Sequence, residues 1–449
     1  MNNKPIMQEK SYKETEIGKI PVDWEVSTLD EISLKVTDGS HFSPKESETG
    51  NKIIATVKDM GYYHFSFKNC KRIADDDFNL LVKNGCSPEK GDIIISKDGA
   101  NCLDLIFVYN QDKKIVLLSS IAIVKLKKGF NPQFYRYYLL SPVAQKIMRE
   151  GYVSGSAIPR VILKDFKKVP IPILPNIEIQ NKIADILRSL DDKISLNRSM
   201  NSTLEAIGQA LFRRWFVDFE FPDGEGKPYR SSGGEMVETE LGEVPKGWEV
   251  KPFYELIDIN PNRKLIKDRH AKKVGMADLN AWQSWIESWQ LEEYKSGPRF
   301  QNGDTLFARI TPSLEHGKTA FVSFLYKDEV AFGSTEFIIF APKIIQSNLY
   351  IFHLARSEYF REAAIGAMTG SSGRQRVPEN LFNQLLICLP SQKIIEKFHK
   401  VVTPLFEGIT INSNQIRNLS KIRDALLPKL ISGEIRVFEN QKLEGRSST

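Results

Sequence analysis

Two short stretches of the sequence place a basic residue and a hydroxyl where a β-rich run turns into a loop. Ser96 and Lys97 follow the first Gly-Asp run, and Arg309 and Thr311 follow the second. Arg and Lys side chains hydrogen-bond to guanine edges and phosphates, and hydroxyls hydrogen-bond to phosphate oxygens. The spacing therefore indicates binding of a phosphate-bearing ligand. The alternative at each position is a solvated surface loop.

Two Gly/Ser-rich loops that contain arginines, at 154–160 and 369–376, point to the same chemistry. Glycine lets a backbone approach a phosphate closely because it carries no Cβ. Isolated basic and polar residues elsewhere are weaker candidates of this kind. The candidate binding residues are Ser40, His41, Lys58, Ser96, Lys97, Ser156 and Arg160 in the first half of the chain, and Arg309, Thr311, His316, Lys318, Arg374 and Arg376 in the second.

The sequence predicts no catalytic centre. Gly317-Lys318-Thr319 resembles the end of a phosphate-binding loop, but the motif needs a glycine where this chain has Pro312. The six histidines are never spaced as metal-ligand pairs, and the four cysteines lie far apart with no C-x-x-C. We therefore expect no catalytic residue, metal or cofactor in this chain.

Two helices with a seven-residue apolar repeat must position these loops. The first repeat runs from Ile183 to Trp215, and a second runs 215 residues later from Phe398 to Leu430. Both carry an Asn at the same position, Asn197 and Asn412, and a buried Asn needs a hydrogen-bonding partner, most simply the other Asn. The helices pair with each other or with a common third protein, or they are two unrelated amphipathic helices. The predicted helix-pair interface comprises Ile183, Leu187, Leu190, Ile194, Asn197, Leu204, Leu211, Val402, Leu405, Ile409, Asn412, Leu419 and Leu426.

The chain is internally duplicated. Residues 14–26 and 238–250 are identical at eight of thirteen positions and share a Gly-x-x-Pro-x-x-Trp motif. The Gly and Pro predict a turn, and the Trp predicts a core anchor. Between the halves, 218–236 has the Gly/Pro/Ser-rich composition of a linker. The sequence therefore predicts two divergent α+β bodies, each followed by a helix.

The composition is that of a globular protein, with 41% hydrophobic and 26% charged residues and a net charge of +6. The N-terminus has no apolar signal-peptide core, and the longest apolar run, at 115–124, is too short to span a bilayer. We expect a cytoplasmic protein without a membrane partner.

The duplicated plan resembles the specificity subunit of type I restriction-modification enzymes over nearly the whole chain. The similarity is strongest in the Gly-x-x-Pro-x-x-Trp repeat and in the segments 211–219, 231–236 and 426–433. The resemblance implies an α+β fold in which two target-recognition domains are separated by two long antiparallel coiled-coil helices, with an internal pseudo-twofold repeat. The implied domains are target-recognition domain 1 at 1–174, helical region 1 at 175–217, a linker at 218–236, target-recognition domain 2 at 237–389, helical region 2 at 390–432 and a tail at 433–449.

The resemblance further implies a non-catalytic subunit of a methyltransferase/endonuclease complex. Each target domain would read one half of a bipartite double-stranded DNA site, and the helices would set the spacer between the halves. They would also dock two modification subunits, alongside two restriction subunits. S-adenosylmethionine, ATP and magnesium would be bound by those partners. The alternatives are a coiled-coil assembly scaffold that binds no DNA and, third, a divergent nuclease.

Overall fold

The chain forms two compact units. The computed structural model describes residues 11–155, 157–371 and 373–437, so Ser156 lies outside the described residues, as does most of the predicted tail. Unit 1 comprises residues 1–191 and 421–449, and unit 2 comprises 192–420. Each unit thus contains a body and a part of both long helices.

Unit 1 is built on an antiparallel four-stranded sheet in the order β4-β10-β7-β8 and a three-stranded sheet in the order β6-β5-β9. The strand Ile93–Ser96 is buried along its whole length, as its run of three isoleucines predicts. The strands of this unit are β1 (Tyr12–Thr15), β2 (Gly18–Pro21), β3 (Glu25–Thr28), β4 (Ser33–Asp38), β5 (Lys52–Ala55), β6 (Lys71–Ile73), β7 (Ile93–Ser96), β8 (Ile106–Val108), β9 (Val116–Leu117), β10 (Ile121–Leu126), β11 (Val153–Ser154), β12 (Arg160–Val161) and β13 (Pro170–Ile173). The helices are α1 (Leu29–Ile32), α2 (Asp75–Lys83), α3 (Pro132–Leu140), α4 (Pro142–Gly151), α5 (Leu163–Phe166) and the long α6 (Ile177–Phe212), which begins in this unit.

Unit 2 repeats the topology of the main sheet with a different sequence, and its second sheet has one strand more. Its main sheet has the order β17-β24-β21-β22, and a second sheet has the order β19-β18-β23-β20. Its strands are β14 (Met236–Thr239), β15 (Gly242–Pro245), β16 (Glu249–Pro252), β17 (Ile257–Ile259), β18 (His270–Val274), β19 (Gln290–Glu293), β20 (Arg299–Phe300), β21 (Thr305–Ala308), β22 (Thr319–Phe321), β23 (Ala331–Gly333), β24 (Phe337–Pro342) and β25 (Leu386–Leu389). Its helices are α7 (Asn348–Ala355), α8 (Glu358–Gly366), α9 (Leu381–Gln384) and the long α10 (Gln392–Ile431), which ends in unit 1.

The repeated Gly-x-x-Pro-x-x-Trp motif anchors each core, as the sequence predicts. Trp24 and Trp248 are 2% and 6% exposed. The strand after each Trp pairs with the strand that precedes a long helix, β3 with β13 and β16 with β25. The motif therefore lies directly before a strand pair that joins the beginning of each body to its end.

The segment 218–236, which has the composition of a linker, is packed within unit 2. The ring of Phe221 stacks on Trp248 at 5.1 Å and on Tyr229 at 4.6 Å, and Phe221 is 4% exposed. The aromatic residues between the Gly, Pro and Ser residues hold the segment in place because burying a large ring contributes about 2 kcal/mol or more.

The long helices begin where the sequence places them. The side chain of Asn176 accepts a hydrogen bond from the backbone N–H of Ile179 at 3.0 Å and so caps α6. A π-helical turn, Arg213–Val217, follows α6. Helix α10 continues through Pro404 without a break. Among the described residues, no helix is both long and apolar enough to cross a membrane.

Within unit 2 the two helices pair antiparallel through a polar layer, but the predicted Asn197–Asn412 pair is wrong. Asn412 Nδ2 donates to Asn201 Oδ1 at 3.0 Å, and Asn201 Nδ2 donates to the Ser413 hydroxyl at 3.1 Å. Asn197 Nδ2 instead donates to Gln415 Oε1 at 3.0 Å. An antiparallel pair reverses the order of one repeat, so equal positions face each other only at the point of reversal, and Asn197 and Asn412 do not lie there.

Within unit 1 the helix segments meet at a buried carboxylate. Asp191 Oδ1 accepts from Arg423 Nη1 at 2.9 Å and from the Tyr63 hydroxyl at 3.3 Å. Its Oδ2 accepts from Arg136 Nη1 at 3.2 Å and from the Tyr137 hydroxyl at 2.8 Å. Four donors from α3, α10 and the loop after β5 thus converge on one side chain of α6.

None of the thirteen predicted interface residues is exposed. Seven are buried, and six are partly buried. The buried ones are Ile183, Leu187, Ile194, Asn197, Val402, Ile409 and Asn412, and the partly buried ones are Leu190, Leu204, Leu211, Leu405, Leu419 and Leu426.

Candidate nucleic-acid interface

In unit 1 the end of β7 and the Gly/Ser-rich loop form one surface. Asp98 and Arg160 are antiparallel bridge partners. The backbone N–H of Gly99 donates to Pro159 O at 2.9 Å, and that of Val161 donates to Lys97 O at 2.8 Å. The loop is the turn of the β11–β12 hairpin. Two candidate stretches that lie sixty residues apart in sequence are therefore neighbours.

The candidate cations of this surface alternate with carboxylates. The Lys97 ammonium lies 3.3 Å from Asp38 Oδ2 and 3.5 Å from Asp98 Oδ2. Arg160 Nε lies 3.3 Å from Asp98 Oδ1, and His41 Nε2 lies 3.3 Å from Asp38 Oδ2. The Lys97 side chain is only 4% exposed, whereas those of Arg160 and His41 are 54% and 69% exposed. Arg160 and His41 can therefore reach a ligand, and Lys97 is held in a buried ion pair.

Two of the candidate serines shape loops. The buried hydroxyl of Ser96 donates to Asn101 O at 2.5 Å and accepts from the backbone N–H of Leu105 at 3.1 Å. The Ser40 hydroxyl donates to Phe42 O at 2.6 Å and accepts from the same residue's N–H at 3.0 Å. Both hydroxyls are already satisfied, so we expect neither to contact a ligand. Lys58 is exposed on the 3-10 turn that follows β5.

Unit 2 brings together the corresponding stretches. Ile310, just after β21, bridges to Arg376, which is also a bridge partner of Thr369 across the second Gly/Ser-rich loop. The Thr311 hydroxyl accepts from the backbone N–H of Gln375 at 3.1 Å, and the Thr311 N–H donates to Gln375 O at 3.0 Å. The same pairing of strand end and loop thus occurs in both units.

The arginines of this second surface are also matched by carboxylates. Arg309 Nη1 donates to Glu379 at 2.9 Å, and Arg309 Nη2 donates to Val377 O at 2.8 Å. Arg376 binds Glu336 through two nitrogens, at 2.9 Å and 2.6 Å. The hydrogen bond from Arg376 holds the pKa of the Glu336 carboxyl below its ordinary value. Arg374 is exposed at the loop.

The remaining candidates of unit 2 lie on the loop after β21. His316 is exposed, and the Lys318 ammonium donates to Met276 O at 2.8 Å. Lys318 therefore fastens this loop to the 3-10 turn Met276–Asp278. No group of three or more His, Cys, Asp or Glu side chains suited to a metal ion occurs among the described residues.

Sequence reasoning missed two exposed aromatic residues in corresponding loops. Tyr62 follows β5 and is 69% exposed, and Trp282 follows β18 and is 52% exposed. The guanidinium of Arg361 lies 4.3 Å from the Trp282 ring centroid. The sequence carries a common feature at both positions: each aromatic residue lies a few residues after an Asp. In the structure this Asp is the last residue of a 3-10 turn. Asp59 binds the Thr56 N–H at 2.8 Å, and Asp278 binds the Gly275 N–H at 2.7 Å.

The two units therefore join a strand end to a Gly/Ser-rich loop in the same way and with different side chains. Comparison with known proteins is consistent with this. Residues 21–206 match the family described as type I restriction modification DNA specificity domain. The chain is 28% identical over 454 residues to the type I restriction enzyme MjaIX specificity subunit of Methanocaldococcus jannaschii, covering 96% of this chain and 98% of that protein. It is 24% identical over 486 residues to the HindI specificity subunit of Haemophilus influenzae, covering 92% and 100%.

The fold has a counterpart among solved structures. The crystal structure of a type I restriction-modification system S subunit from M. genitalium aligns with a TM-score of 0.53 and 16% identity, covering 91% of this chain and 96% of that one. That likeness concerns the fold, which is mixed α/β in both. Over nearly its whole length the chain is therefore similar to type I restriction enzyme specificity subunits, and residues 21–206 carry the match to the specificity-domain family.

Proposed function

We propose that this chain is the subunit that gives a type I restriction-modification complex its DNA sequence specificity, and that it is not itself catalytic. One observation carries the proposal: each unit joins a strand end and a Gly/Ser-rich loop into a surface of cations paired with carboxylates. Arg160 and His41 in unit 1, and Arg374 and Arg376 in unit 2, are the exposed members. Arginine forks suit guanine edges and phosphates.

Each surface would read one half of a bipartite site. The paired carboxylates support this function because they compete with phosphates for the arginines. A duplex that offers only phosphates must break these ion pairs, whereas a matching base edge adds a further hydrogen bond. Such competition favours specific over non-specific DNA. The two surfaces differ in sequence, so the two half-sites would differ as well.

The long helices would set the spacer and dock the modification subunits. Helix α10 has 40 residues, which corresponds to about 60 Å at 1.5 Å per residue. Within unit 2, α6 also exposes an apolar stripe of Leu196, Met200 and Ile207, which are 53%, 43% and 43% exposed. Side chains at this spacing lie on one helix face and suit packing against another helix. Two modification and two restriction subunits would complete the enzyme and bind S-adenosylmethionine, ATP and magnesium.

The test of specificity is adenine-methylation mapping of host DNA with and without this gene. We expect one gapped, two-part motif to lose methylation when the gene is deleted. An unchanged methylation pattern, with the modification subunit still expressed, would contradict the proposal.

The test of docking is co-purification with the modification subunit. Replacing Leu196 and Ile207 by Glu should abolish co-purification because two carboxylates would be buried in an apolar contact. Ser202→Glu, on the opposite face of the same helix, is the matched control and should have no effect. Retention of the modification subunit by the double variant would place its docking surface elsewhere.

The same stripe favours a second candidate, an assembly scaffold that binds no DNA. Salt-dependent binding of the assembled complex to duplex DNA would exclude that function.

A further inference from the structure

Unit 1 contains a lysine-rich cleft of about 400 Å³ between the end of α2 and the main sheet. Its lining includes five lysines and three carboxylates. Two of the lysines are paired with exposed acids: Lys90 lies 2.5 Å from Asp112, and Lys125 lies 2.5 Å from Glu89. The lining therefore carries an excess of positive charge. The lysines are Lys35, Lys90, Lys113, Lys114 and Lys125.

Two of these lysines oppose each other in the sheet. Lys35 of β4 and Lys125 of β10 are direct partners in the antiparallel ladder. Cβ atoms of such partners lie about 5 Å apart, and like charges at this spacing destabilise the pair. Glu89, 73% exposed, and the buried Asp92 offset part of the Lys125 charge, and the hydrogen bond to Glu89 raises the pKa of the Lys125 ammonium. An anion in the cleft would relieve the repulsion.

The fold does not require the two opposed lysines. In unit 2, the β17–β24 ladder has Asp258 opposite Ala341 at the corresponding place. The Gly-Asp turn differs as well. Asp304 in unit 2 and Asp92 in unit 1 both accept from the backbone N–H three residues earlier, at 2.7 Å and 2.8 Å, but Asp304 also binds Arg263 Nη2 at 2.7 Å. The opposed lysines thus belong to unit 1 alone.

We propose that this cleft binds a phosphate of the DNA backbone and so fixes unit 1 on the duplex. This inference rests on the proposed function. Lys35 lies three residues before Asp38 on the same strand, β4, a rise of about 10 Å. Ammonium groups position a protein on DNA through phosphates without reading the sequence. The cleft therefore supplies affinity and register, and the loops supply specificity.

The experiment uses the full chain assembled with its modification subunits and measures DNA binding against salt concentration. The double variant Lys35→Gln/Lys125→Gln should make the slope of log K against log salt shallower by about 1, because one phosphate contact is lost. Specific and non-specific duplexes should weaken equally, and the methylated motif should stay the same. Lys35→Arg should retain the wild-type slope. Lys128→Gln, an exposed lysine of unit 1 outside the cleft lining, is the matched control and should also retain it.

A second measurement is thermal unfolding of the full chain without DNA. The double variant should unfold at the same or a higher temperature than the wild type, because the like-charge pair is gone. Inorganic phosphate should stabilise the wild type more than the variant. Loss of folding would therefore be visible and would not be mistaken for loss of binding.

Several outcomes would overturn the inference. An unchanged salt slope, with wild-type complex that binds DNA normally, would exclude a backbone contact. If inorganic phosphate still stabilised the wild type selectively, the occupant would be a free phosphate compound. Loss of subunit assembly at an unchanged slope would mean that acidic groups of a partner occupy the cleft. If the wild-type complex itself bound no DNA, the proposed function would fail, independently of the phosphate measurement.

Discussion

At the scale of single residues, each candidate surface contains some side chains that are buried in contacts within the protein and others that are exposed to solvent. Lys97 is the clearest case, because its ammonium group is buried between Asp38 and Asp98. Arg160, attached to the other side of Asp98, is half exposed. A sequence pattern shows a cation near a strand end in both cases and cannot show which one is buried.

Lys97→Met should destabilise unit 1 by roughly 3 kcal/mol, because removing one partner of a buried ion pair leaves the other charge uncompensated. Chemical denaturation measures this change. Lys58→Met, at an exposed position, is the control and should change the free energy of unfolding by no more than about 0.5 kcal/mol. Weaker DNA binding by Lys97→Met at unchanged stability would instead show that Lys97 is a direct DNA contact.

At the scale of elements, the sequence predicted the two long helices well. It predicted poorly how the two helices pair. The seven-residue repeat predicted both helices. The repeat does not encode the direction or stagger of the pair, so the facing of Asn197 and Asn412 was predicted wrongly. In the bodies, β13 and β25 lie in the apolar runs that precede Pro175 and Pro390. The joining of strand end and loop depends on long-range pairing that no local pattern carries.

A double-mutant cycle on Asn201 and Asn412 tests the observed pairing. Each single Leu replacement should cost about 1–3 kcal/mol, because the remaining amide is buried without its partner. The double variant should lose less than the sum of the two, since neither amide is then orphaned. Urea denaturation measures the three free energies. Coupling of the same size between Asn197 and Asn412 would contradict the observed stagger.

Asp191 should give unit 1 an acid-sensitive stability. Burial by itself would raise the pKa of this carboxyl, but the hydrogen bond from Arg423 and the charge of Arg136 outweigh burial, so its pKa lies below the ordinary value. The ionised carboxylate therefore contributes stability in full above about pH 4, and this contribution is lost as the pH falls through the lowered native pKa.

Asp191→Asn should accordingly lower the free energy of unfolding by about 3–5 kcal/mol near neutral pH, because an amide N–H₂ then faces guanidinium and hydroxyl donors. Below pH 4 the difference from wild type should shrink. Denaturation at several pH values measures both effects, and Asp185→Asn, at an exposed position of the same helix, is the control. A difference that stays constant with pH would show that the carboxylate charge is not what stabilises the network.

At the scale of the whole molecule, the two units share a topology and differ in the side chains of their surfaces. A repeated scaffold with divergent loops is the arrangement expected if each unit reads its own half-site. The same reasoning predicts independence: changing the surface of one unit should leave the half-site read by the other untouched.

The most direct test replaces residues 12–174 by the corresponding body of another specificity subunit and maps adenine methylation in cells that express the modification subunit. We predict a new two-part motif in which one half is replaced and the other half is kept. A change in both halves, or in neither, with the hybrid chain folded and assembled, would contradict independent reading of the two half-sites.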